Sequence, residues 1–493
     1  MPIAWRFIVL SFFAFHAVAG QSLQYSRHLM RDPASDRMQL ITDMEGYHHL
    51  ISFSRGTAPF IDIFNPQLAY VERKEINMVT NEKTKISLLP FRNSYLVYIH
   101  HPGNREHRFF KVTGKGKISE ITANVYGYQP DLWTNPDASF QVLNQQERLT
   151  VISRVYSDSL RTLQLSITRF DENFSATQQS LLSFAFDRFK EKLSQLSLFN
   201  NQLLVLKEKK MPDGSHLLEL SKIDLTSKKM TTREFSSGAN HFSLSGLQIN
   251  EQDSSLLLTS VLPEYNKKKG IQNVLFLSRL GDSLQELIPP VLLRDELNND
   301  LSLNLLLLEN SSAGWIPFQH AEVSTRNVAF NPSSYTSADW AAAAAVNSPN
   351  YIYPFSLPLS SLRAPETGNY SPAGKIRLSL ISDSLQVIQS ILLKPYKDAT
   401  VLAGRDLVSF RLHETPFLLI GQHLLRKQRG LALVYINGKQ EITLTDIRAN
   451  NQLDYFPELL KTSDDNHIIV PFRQRKEIGL LKINIKNYMN ENN

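Results

Sequence analysis

Lysine and arginine recur in short clusters along the chain, and clustered cations of this kind bind anionic groups. The clusters contain seventeen basic residues, with six acidic residues inside or beside them. The basic residues are Arg55; Arg105 and Arg108; Arg154 and Arg161; Lys207, Lys209 and Lys210; Lys267, Lys268 and Lys269; Arg426, Lys427 and Arg429; and Arg473, Arg475 and Lys476. The acidic ones are Glu106, Asp158, Glu208, Asp213, Glu264 and Glu477. A fold that gathers these clusters on one surface would concentrate positive charge in a chain whose net charge is only +6.

Histidines are the next candidates, because neutral imidazole is a common metal ligand. His48 and His49 are adjacent, and neighbouring side chains on a strand point to opposite faces, so they cannot easily share one ion. His100, His101 and His107 are expected in a hairpin loop, where no carboxylate pattern completes a metal site. We therefore predict no bound metal and no cofactor.

Motifs of the common enzyme classes are missing from the sequence. It has no G-x-S-x-G, H-E-x-x-H, P-loop or dinucleotide-binding motif, and no Cys that could act as a nucleophile. The run Asp464–Asn466 lacks the spacing of a calcium loop and is typical of a tight turn. Asp131, Asp137 and Asp295 are candidates for the carboxylate pair of a glycoside hydrolase, but no spacing singles them out.

Short strands are the elements that must position these residues. Runs that alternate apolar and polar residues at period two predominate, and one unit of strand, tight turn and strand returns about every fifty residues. The turns are marked by Asn65, Gly114, Asp171, Asp224, Asp282, Asp383, Asn437 and Asn487. Two further strands precede most of these hairpins, so each repeat holds four strands, as in a β-propeller blade. Of the 493 residues 42% are hydrophobic and 20% charged, which is enough apolar sequence for a folded core.

In its period and strand count the chain resembles the β-propeller superfamily over about residues 22–490. It lacks the repeated Trp-Asp ending, the kelch Gly-Gly pair and the sialidase-like aspartate box. We predict an all-β propeller of about eight four-stranded blades, with seven as the alternative. The last repeat offers only 458–461, 467–472 and 477–485, so we expect the N-terminal segment Ser22–Arg27 to complete it by pairing.

The resemblance implies a central channel, with ligands bound on the face that carries the loops between the second and third strands. The basic clusters are expected in those loops. We therefore predict a non-catalytic binding platform for an anionic polysaccharide or an acidic protein surface; nucleic acid is not the expected partner. Aromatic residues expected to contact the ligand are Tyr126, Tyr128, Trp133, Trp315 and Trp340. The alternative is a glycoside hydrolase or polysaccharide lyase with its site at the channel mouth.

Residues 1–20 are typical of a cleaved signal peptide. Arg6 precedes an apolar stretch, Phe7 to Ala19, that is too short to span a membrane and ends in a small-x-small site near Ala19/Gly20. We expect the protein to be exported to a periplasm or the extracellular space, as a single propeller domain over residues 21–493. Residues 311–371 are expected to form a long insertion within one blade, because the repeat spacing doubles there.

Overall fold

A computed structural model gives the fold of most of the chain. It describes residues 23–26, 30–31, 37–53, 58–77, 85–91, 94–101, 106–121, 139–145, 148–157, 161–171, 176–187, 189–236, 242–250, 253–266, 270–293, 303–308, 316–319, 376–393, 407–412, 415–421, 430–450, 452–475 and 477–490. The predicted signal peptide and nearly all of the 311–371 segment lie outside the described residues.

Strands dominate the described residues, as the alternating pattern predicts. Those in the first third are β1 (Leu23–Tyr25), β2 (Met30–Arg31), β3 (Arg37–Met44), β4 (Tyr47–Phe53), β5 (Phe60–Phe64), β6 (Tyr70–Glu75), β7 (Lys85–Phe91), β8 (Ser94–His101), β9 (Glu106–Thr113), β10 (Ile118–Ile121), β11 (Ser139–Gln145), β12 (Arg148–Ser157), β13 (Thr162–Phe170) and β14 (Ala176–Ala185). The next are β15 (Glu191–Phe199), β16 (Gln202–Lys210), β17 (His216–Asp224), β18 (Met230–Ser236), β19 (Ser243–Asn250), β20 (Ser255–Asn266), β21 (Gly270–Leu280), β22 (Glu286–Leu293), β23 (Leu303–Leu308) and β24 (Ile316–Gln319).

The C-terminal part adds β25 (Ile376–Ile381), β26 (Val387–Leu393), β27 (Leu407–Leu412), β28 (Thr415–Ile420), β29 (Leu431–Ile436), β30 (Ile442–Ile447), β31 (Asp454–Tyr455), β32 (Lys461–Asp464), β33 (His467–Gln474) and β34 (Glu477–Asn484). A 3-10 turn (Pro457–Leu459) precedes β32, and helix α1 (Ile485–Asn490) follows β34. The predicted turn at Asn487 is therefore replaced by a helix.

The strands form eight sheets of blade type, which confirms the predicted all-β propeller class and eight blades. Six sheets follow chain order, namely β3–β6, β7–β10, β11–β14, β15–β18, β19–β22 and β27–β30. Their neighbouring strands pair antiparallel. In each of them the connections between strands one and two and between strands three and four lie at one end, here called the 3–4 end. The connection between strands two and three, and the chain leading to the next sheet, lie at the other, the 2–3 end.

Two sheets depart from this order. One runs β24-β23-β25-β26, and in it β23 pairs parallel with β25. The last sheet consists of β31 to β34 with β1 and β2 on its outer side, where both pair antiparallel with β34. Pairing of the N-terminal strand with the last blade is thus confirmed. The backbone N–H of Ser26 also bonds the Leu480 carbonyl, at 2.9 Å.

The chain divides into two compact units. Residues Met1–Thr80, Gly114–Gly116 and Asp406–Asn493 form one unit, and Asn81–Thr113 with Lys117–Arg405 form the other. In the second unit, apolar side chains pack between β11–β14 and β15–β18, and between β15–β18 and β19–β22. In the first unit, the β3–β6 sheet and the β27–β30 sheet each pack against the last sheet. Inward-facing residues of consecutive sheets therefore supply the cores, as the strand alternation requires.

Turns between strands three and four repeat one geometry. Leu68, Leu284 and Leu385 adopt left-handed backbone conformations, with φ of 58°, 62° and 61°, and their side chains are buried. The backbone N–H of Leu284 donates to the carbonyl of Gly281 at 2.9 Å. A left-handed leucine is strained, so burial of its side chain is the compensating gain.

Polar bonds join successive sheets at the 3–4 end of the second unit. Arg169 Nη1 donates to Asn201 Oδ1 at 2.6 Å, and Lys222 Nζ contacts Asp282 Oδ1 at 2.7 Å. Arg279 lies 2.7 Å from Asp253 of its own sheet and 3.1 Å from Asp383 of the next one. The cation lies near the end of a third strand in each case, so the repeat carries its own connection to the next sheet. Among the described residues, no helix is long and apolar enough to cross a membrane.

Candidate functional site

Most of the ligand-contact residues expected from the sequence lie outside the described residues. These are Arg105, Lys267, Lys268, Lys269, Arg426, Lys427, Arg429 and Lys476, with the aromatics Tyr126, Tyr128, Trp133, Trp315 and Trp340. The structure places the other six: Arg108, Lys207, Lys209, Lys210, Arg473 and Arg475. Arg108 and Lys207, Lys209 and Lys210 lie within strands, close to the 2–3 ends of their sheets. Arg473 lies at the end of β33, and Arg475 lies in the connection from β33 to β34.

Arg108 and Arg473 are engaged with their own sheets. The Arg108 guanidinium donates to both carboxylate oxygens of Glu120, at 2.8 and 2.7 Å, and lies over the Phe110 ring. Arg473 lies over the ring of Phe456, 5.1 Å from its centroid. Both side chains therefore have structural partners that compete with a ligand.

Lys207 belongs to a buried ion-pair triad and does not reach the surface. Its side chain is 10% exposed, and its Nζ lies 3.0 Å from Glu191 Oε1 and 3.1 Å from Glu219 Oε1. Burial alone would lower the pKa of Lys207, but the hydrogen bond to Glu191 and the charges of both glutamates raise it above its usual value. Sequence reasoning put Lys207 among the ligand contacts; its burial between two carboxylates removes it from that set.

Glu191 links this triad to the loop that leads from β14 to β15. Its Oε1 accepts from Lys207, and its Oε2 accepts from the backbone N–H of Asp187 at 2.9 Å. The Asp187 carboxylate accepts from the Phe189 N–H at 3.0 Å, and the Asp187 carbonyl accepts from the N–H groups of Lys190 and Glu191. A turn with this many internal bonds loses little entropy when a ligand binds.

Phe189 projects from this turn into solvent. Its side chain is 79% exposed, whereas the next most exposed large apolar residue of the described chain, Met230, is 55% exposed. Phe184 and Phe186 of the same segment are half-buried and buried. The Asp187 carboxylate and carbonyl bond the N–H groups of Phe189, Lys190 and Glu191, so the backbone that carries the exposed ring is held in place.

Four cations lie on the chain segments next to this turn, at the 2–3 ends of the β11–β14 and β15–β18 sheets. Arg161 Nη1 lies 3.5 Å from Asp187, and the Arg161 carbonyl accepts from the Phe186 N–H. Lys210 donates its backbone N–H to the Lys190 carbonyl at 2.7 Å, which places those two lysines side by side. Arg161, Lys190 and Lys210 are exposed and Lys209 is half-buried. We call Arg161, Phe189, Lys190, Lys209 and Lys210 the Phe189 cluster; within it, the side chains of Lys209 and Lys210 point to opposite faces of the sheet, because the two residues are neighbours on β16.

Some charges of the same sheet are compensated by neighbours within it. Glu208 is buried and lies 3.0 Å from His216 Nδ1. Burial lowers the pKa of Lys192, and the charge of Glu208 partly offsets this. Glu208 lies two residues from Lys210 on β16 and therefore on the same face of the sheet, so this carboxylate offsets part of the positive charge of the Phe189 cluster.

The candidate histidines occupy strands. His100 and His107 face each other in the pairing of β8 with β9, where a loop was expected. His48 and His49 lie on β4 and are fully buried on opposite faces, as the strand geometry predicts. Within the described ranges, no three acidic or imidazole side chains group closely enough to hold a metal ion.

Sequence reasoning missed Phe189 and Lys190. The available signal is the run Asp187-Arg188-Phe189-Lys190, in which a turn-forming Asp is followed by an aromatic and flanking cations. In the sequence the phenylalanine continues an apolar run, Phe184-Ala185-Phe186, and this made it resemble core.

No protein-family model matches the sequence, and no curated protein matches it. Solved structures do match. An alpha-L-arabinofuranosidase of Fusarium graminearum with arabinobiose is 7% identical (TM-score 0.32), with 95% of this chain and 99% of that chain covered. The WD40 domain of SCAP from fission yeast is 8% identical (TM-score 0.32), with the same coverage.

A Synechocystis apocarotenoid oxygenase is 12% identical (TM-score 0.30), with 57% of this chain and 64% of that chain covered. The match thus spans less than two thirds of the oxygenase. At these identities the likeness concerns the fold alone, and the order of the sheets is the basis for assigning a propeller.

Proposed function

We propose that this protein is an exported, non-catalytic β-propeller that binds an anionic polymer through the 2–3 ends of its blades. The observation that carries the proposal is the Phe189 cluster. Exposed cations lie there on the segments next to a turn that carries an exposed phenylalanine and is fixed by its own hydrogen bonds. The basic loops outside the described residues extend the same charge along the sequence.

Binding is favoured over catalysis by the state of the nearest carboxylates. Glu191 and Glu219 both hold Lys207, and Glu191 also accepts from the Asp187 N–H. Glycoside hydrolysis needs one carboxyl group free to give a proton and another free to attack or to activate water. Because Glu191 and Glu219 are engaged in these ion pairs and hydrogen bonds, they are not free to give a proton or to attack; they hold the loop in place.

The first test is retention on immobilised polygalacturonate at 50 and 300 mM NaCl. We expect retention that weakens with salt, because exposed charges are screened within about 10 Å at 0.1 M. Lys209→Glu with Lys210→Glu should reduce the affinity at low salt about tenfold. The matched control is Lys229→Glu, an exposed lysine at the 3–4 end of the same sheet, which should bind as the wild type does.

Retention that is absent, or insensitive to salt, would contradict the proposal. Equal losses in the control variant would mean that net charge matters and the 2–3 end does not. Export is tested separately by N-terminal sequencing of the protein from its natural source, where we expect a new terminus near Gly20.

A further inference from the structure

Exposed apolar side chains collect on the outer strands of two neighbouring sheets. Ten large apolar residues of the described chain are exposed, and five of them lie on β22 and β26. They are Leu287 and Leu292 on β22, and Val387, Ile388 and Leu392 on β26, each between 39% and 49% exposed. Apolar side chains of β22 pack against the β25–β26 hairpin in one core cluster, so the two outer strands belong to adjacent sheets. Single exposed apolar residues are ordinary, whereas a group of them marks an interaction surface.

The strand β26 lacks the features that keep edge strands from associating. It is the outermost described strand of its sheet, and charged side chains or proline on such a strand oppose pairing with another chain. The neighbouring outer strand β22 carries Pro289 and Pro290, and β6, with the sequence YVERKE, is rich in charge. By contrast, β26 has the sequence VIQSILL, with no charged residue and no proline. The composition of this strand therefore favours association.

The exposed positions of β26 are symmetric about Ser390. Ile388, Ser390 and Leu392 are exposed, and the residues between them are half-buried. A two-fold axis through Ser390 sets two copies of β26 antiparallel and places Ile388 of each copy opposite Leu392 of the other, and cross-strand apolar pairs of this kind are favourable. The Ser390 hydroxyl lies 2.8 Å from Ser379 Oγ within its own sheet, so it keeps a hydrogen bond when a second copy covers it.

We propose that β26 is the surface on which a second copy of this chain binds, about a two-fold axis through Ser390. A second copy is the favoured occupant because the strand complements itself and carries no charge that would lie against a like charge. The apolar area is small, so the dimer should be weak, with a dissociation constant of about 10–100 µM. Dimerisation through β26 is independent of the proposed function.

The direction of β26 determines how the two copies are oriented. Arg279 lies 3.1 Å from Asp383 in the turn between β25 and β26, which places this turn at the 3–4 end of the second unit. The strand β26 therefore runs from the 3–4 end towards the 2–3 end. In the antiparallel pair the 2–3 ends of the two copies point in opposite directions, so dimerisation leaves both of these ends accessible.

Sedimentation velocity of the full chain between 1 and 200 µM measures this association, and we expect the wild type to pass from monomer to dimer over that range. Ile388→Lys and Leu392→Glu should each weaken the dimer about tenfold, because each places a charge against an apolar side chain at two symmetric positions. An equimolar mixture of the two variants should dimerise again, since one lysine then faces one glutamate and the other position keeps its apolar pair. The matched control is Met230→Lys, at a 55% exposed apolar residue on the outer strand β18, which should dimerise as the wild type does.

A wild type that stays monomeric at 200 µM would overturn the proposal. Slow hydrogen exchange in β26 would then mean that another segment of the chain covers the strand, and fast exchange would leave the strand to a different protein. A dimer that neither variant weakens would place the contact on another surface. Loss in both variants without recovery in the mixture, with both folded by circular dichroism, would contradict the pairing about Ser390. An equal loss in Met230→Lys would show that added charge alone prevents association.

Discussion

The buried histidines of β4 make the stability of the first sheet depend on pH. His48 and His49 are 1% and 0% exposed, and burial lowers the pKa of each to about 4. For His48, the positive charge of Lys482 and the neighbouring His49 lower the pKa further, against a smaller opposing effect of Asp464. For His49, a hydrogen bond with the Gly114 carbonyl, at 2.8 Å, opposes the lowering. That carbonyl can only accept, so Nε2 of His49 carries the proton.

The sign and size of the effect follow from these values. A histidine is protonated below about pH 6.5 in the unfolded chain and below about pH 4 in the folded one, so stability is full above pH 6.5 and falls between these limits. At pH 5 each histidine should cost about 2 kcal/mol relative to pH 7.5, and the pair about 4 kcal/mol. A buried His48 cation would also face Lys482 across the contact with the last sheet.

Hydrogen exchange of the peptide covering residues 48–64, corrected for the intrinsic rate, measures the opening free energy of this sheet. His48→Leu removes two buried ring nitrogens that have no hydrogen-bond partner among the described atoms, so it should cost little at pH 7.5 and halve the loss at pH 5. His49→Gln keeps a donor for the Gly114 carbonyl and should remove most of the other half. Leu50→Val, at a fully buried neighbour, should lower stability by about 1 kcal/mol at both pH values. An opening free energy in wild type that is the same at pH 7.5 and 5, or an equal acid loss in the histidine double variant, would refute the reasoning.

Three further substitutions test the contacts that hold the sheets. Arg279→Met removes the bridge to Asp253 and Asp383 and should lower stability by about 1–2 kcal/mol, measured as the midpoint of urea unfolding; an unchanged midpoint would mean that the bridge is compensated by water. Leu284→Gly relieves a left-handed backbone but exposes core, so we expect a net loss of about 1–2 kcal/mol in the same assay; a gain in stability would show that strain outweighs packing. Tyr25→Phe removes a hydroxyl that accepts a backbone N–H and contacts a second tyrosine hydroxyl, so amide hydrogen exchange in β1 and β34 should become about ten times faster. Unchanged exchange would mean that this hydroxyl does not anchor β1 to the last sheet.

The strands could be predicted because buried positions along a strand require apolar residues and solvent-facing positions favour polar ones. The run Leu203-Leu204-Val205-Leu206 is buried on both sides, and the hairpin turns carry Asp, Asn or Gly where the geometry needs them. The role of Lys207 was not predictable. In sequence it begins a charged run that resembles a solvated loop, whereas its partners Glu191 and Glu219 lie 16 and 12 residues away.

Side-chain partners across strands depend on register, and register is set by turns whose exact length the alternation does not give. For the same reason Arg108 was expected to be free, although its partner Glu120 lies on the adjacent strand. The exposure of Phe189 could not be predicted either, because the hydrogen bonds of Asp187 that hold the backbone there are not visible in the alternation. The four-strand repeat could therefore be predicted from the local sequence pattern, whereas the candidate site depends on contacts between segments that are distant in sequence.

Hydrogen exchange with and without polygalacturonate tests the central claim most directly, because it locates the bound polymer on the chain. Our account predicts slower exchange in the peptides covering residues 161–165, 186–192 and 207–216, at the 2–3 end of the sheets. The turn at residues 224–229, at the opposite end of the same sheet, should exchange at an unchanged rate. Protection at 224–229 with none at 186–192 would show that the polymer binds elsewhere, and the assignment of the binding face would be wrong.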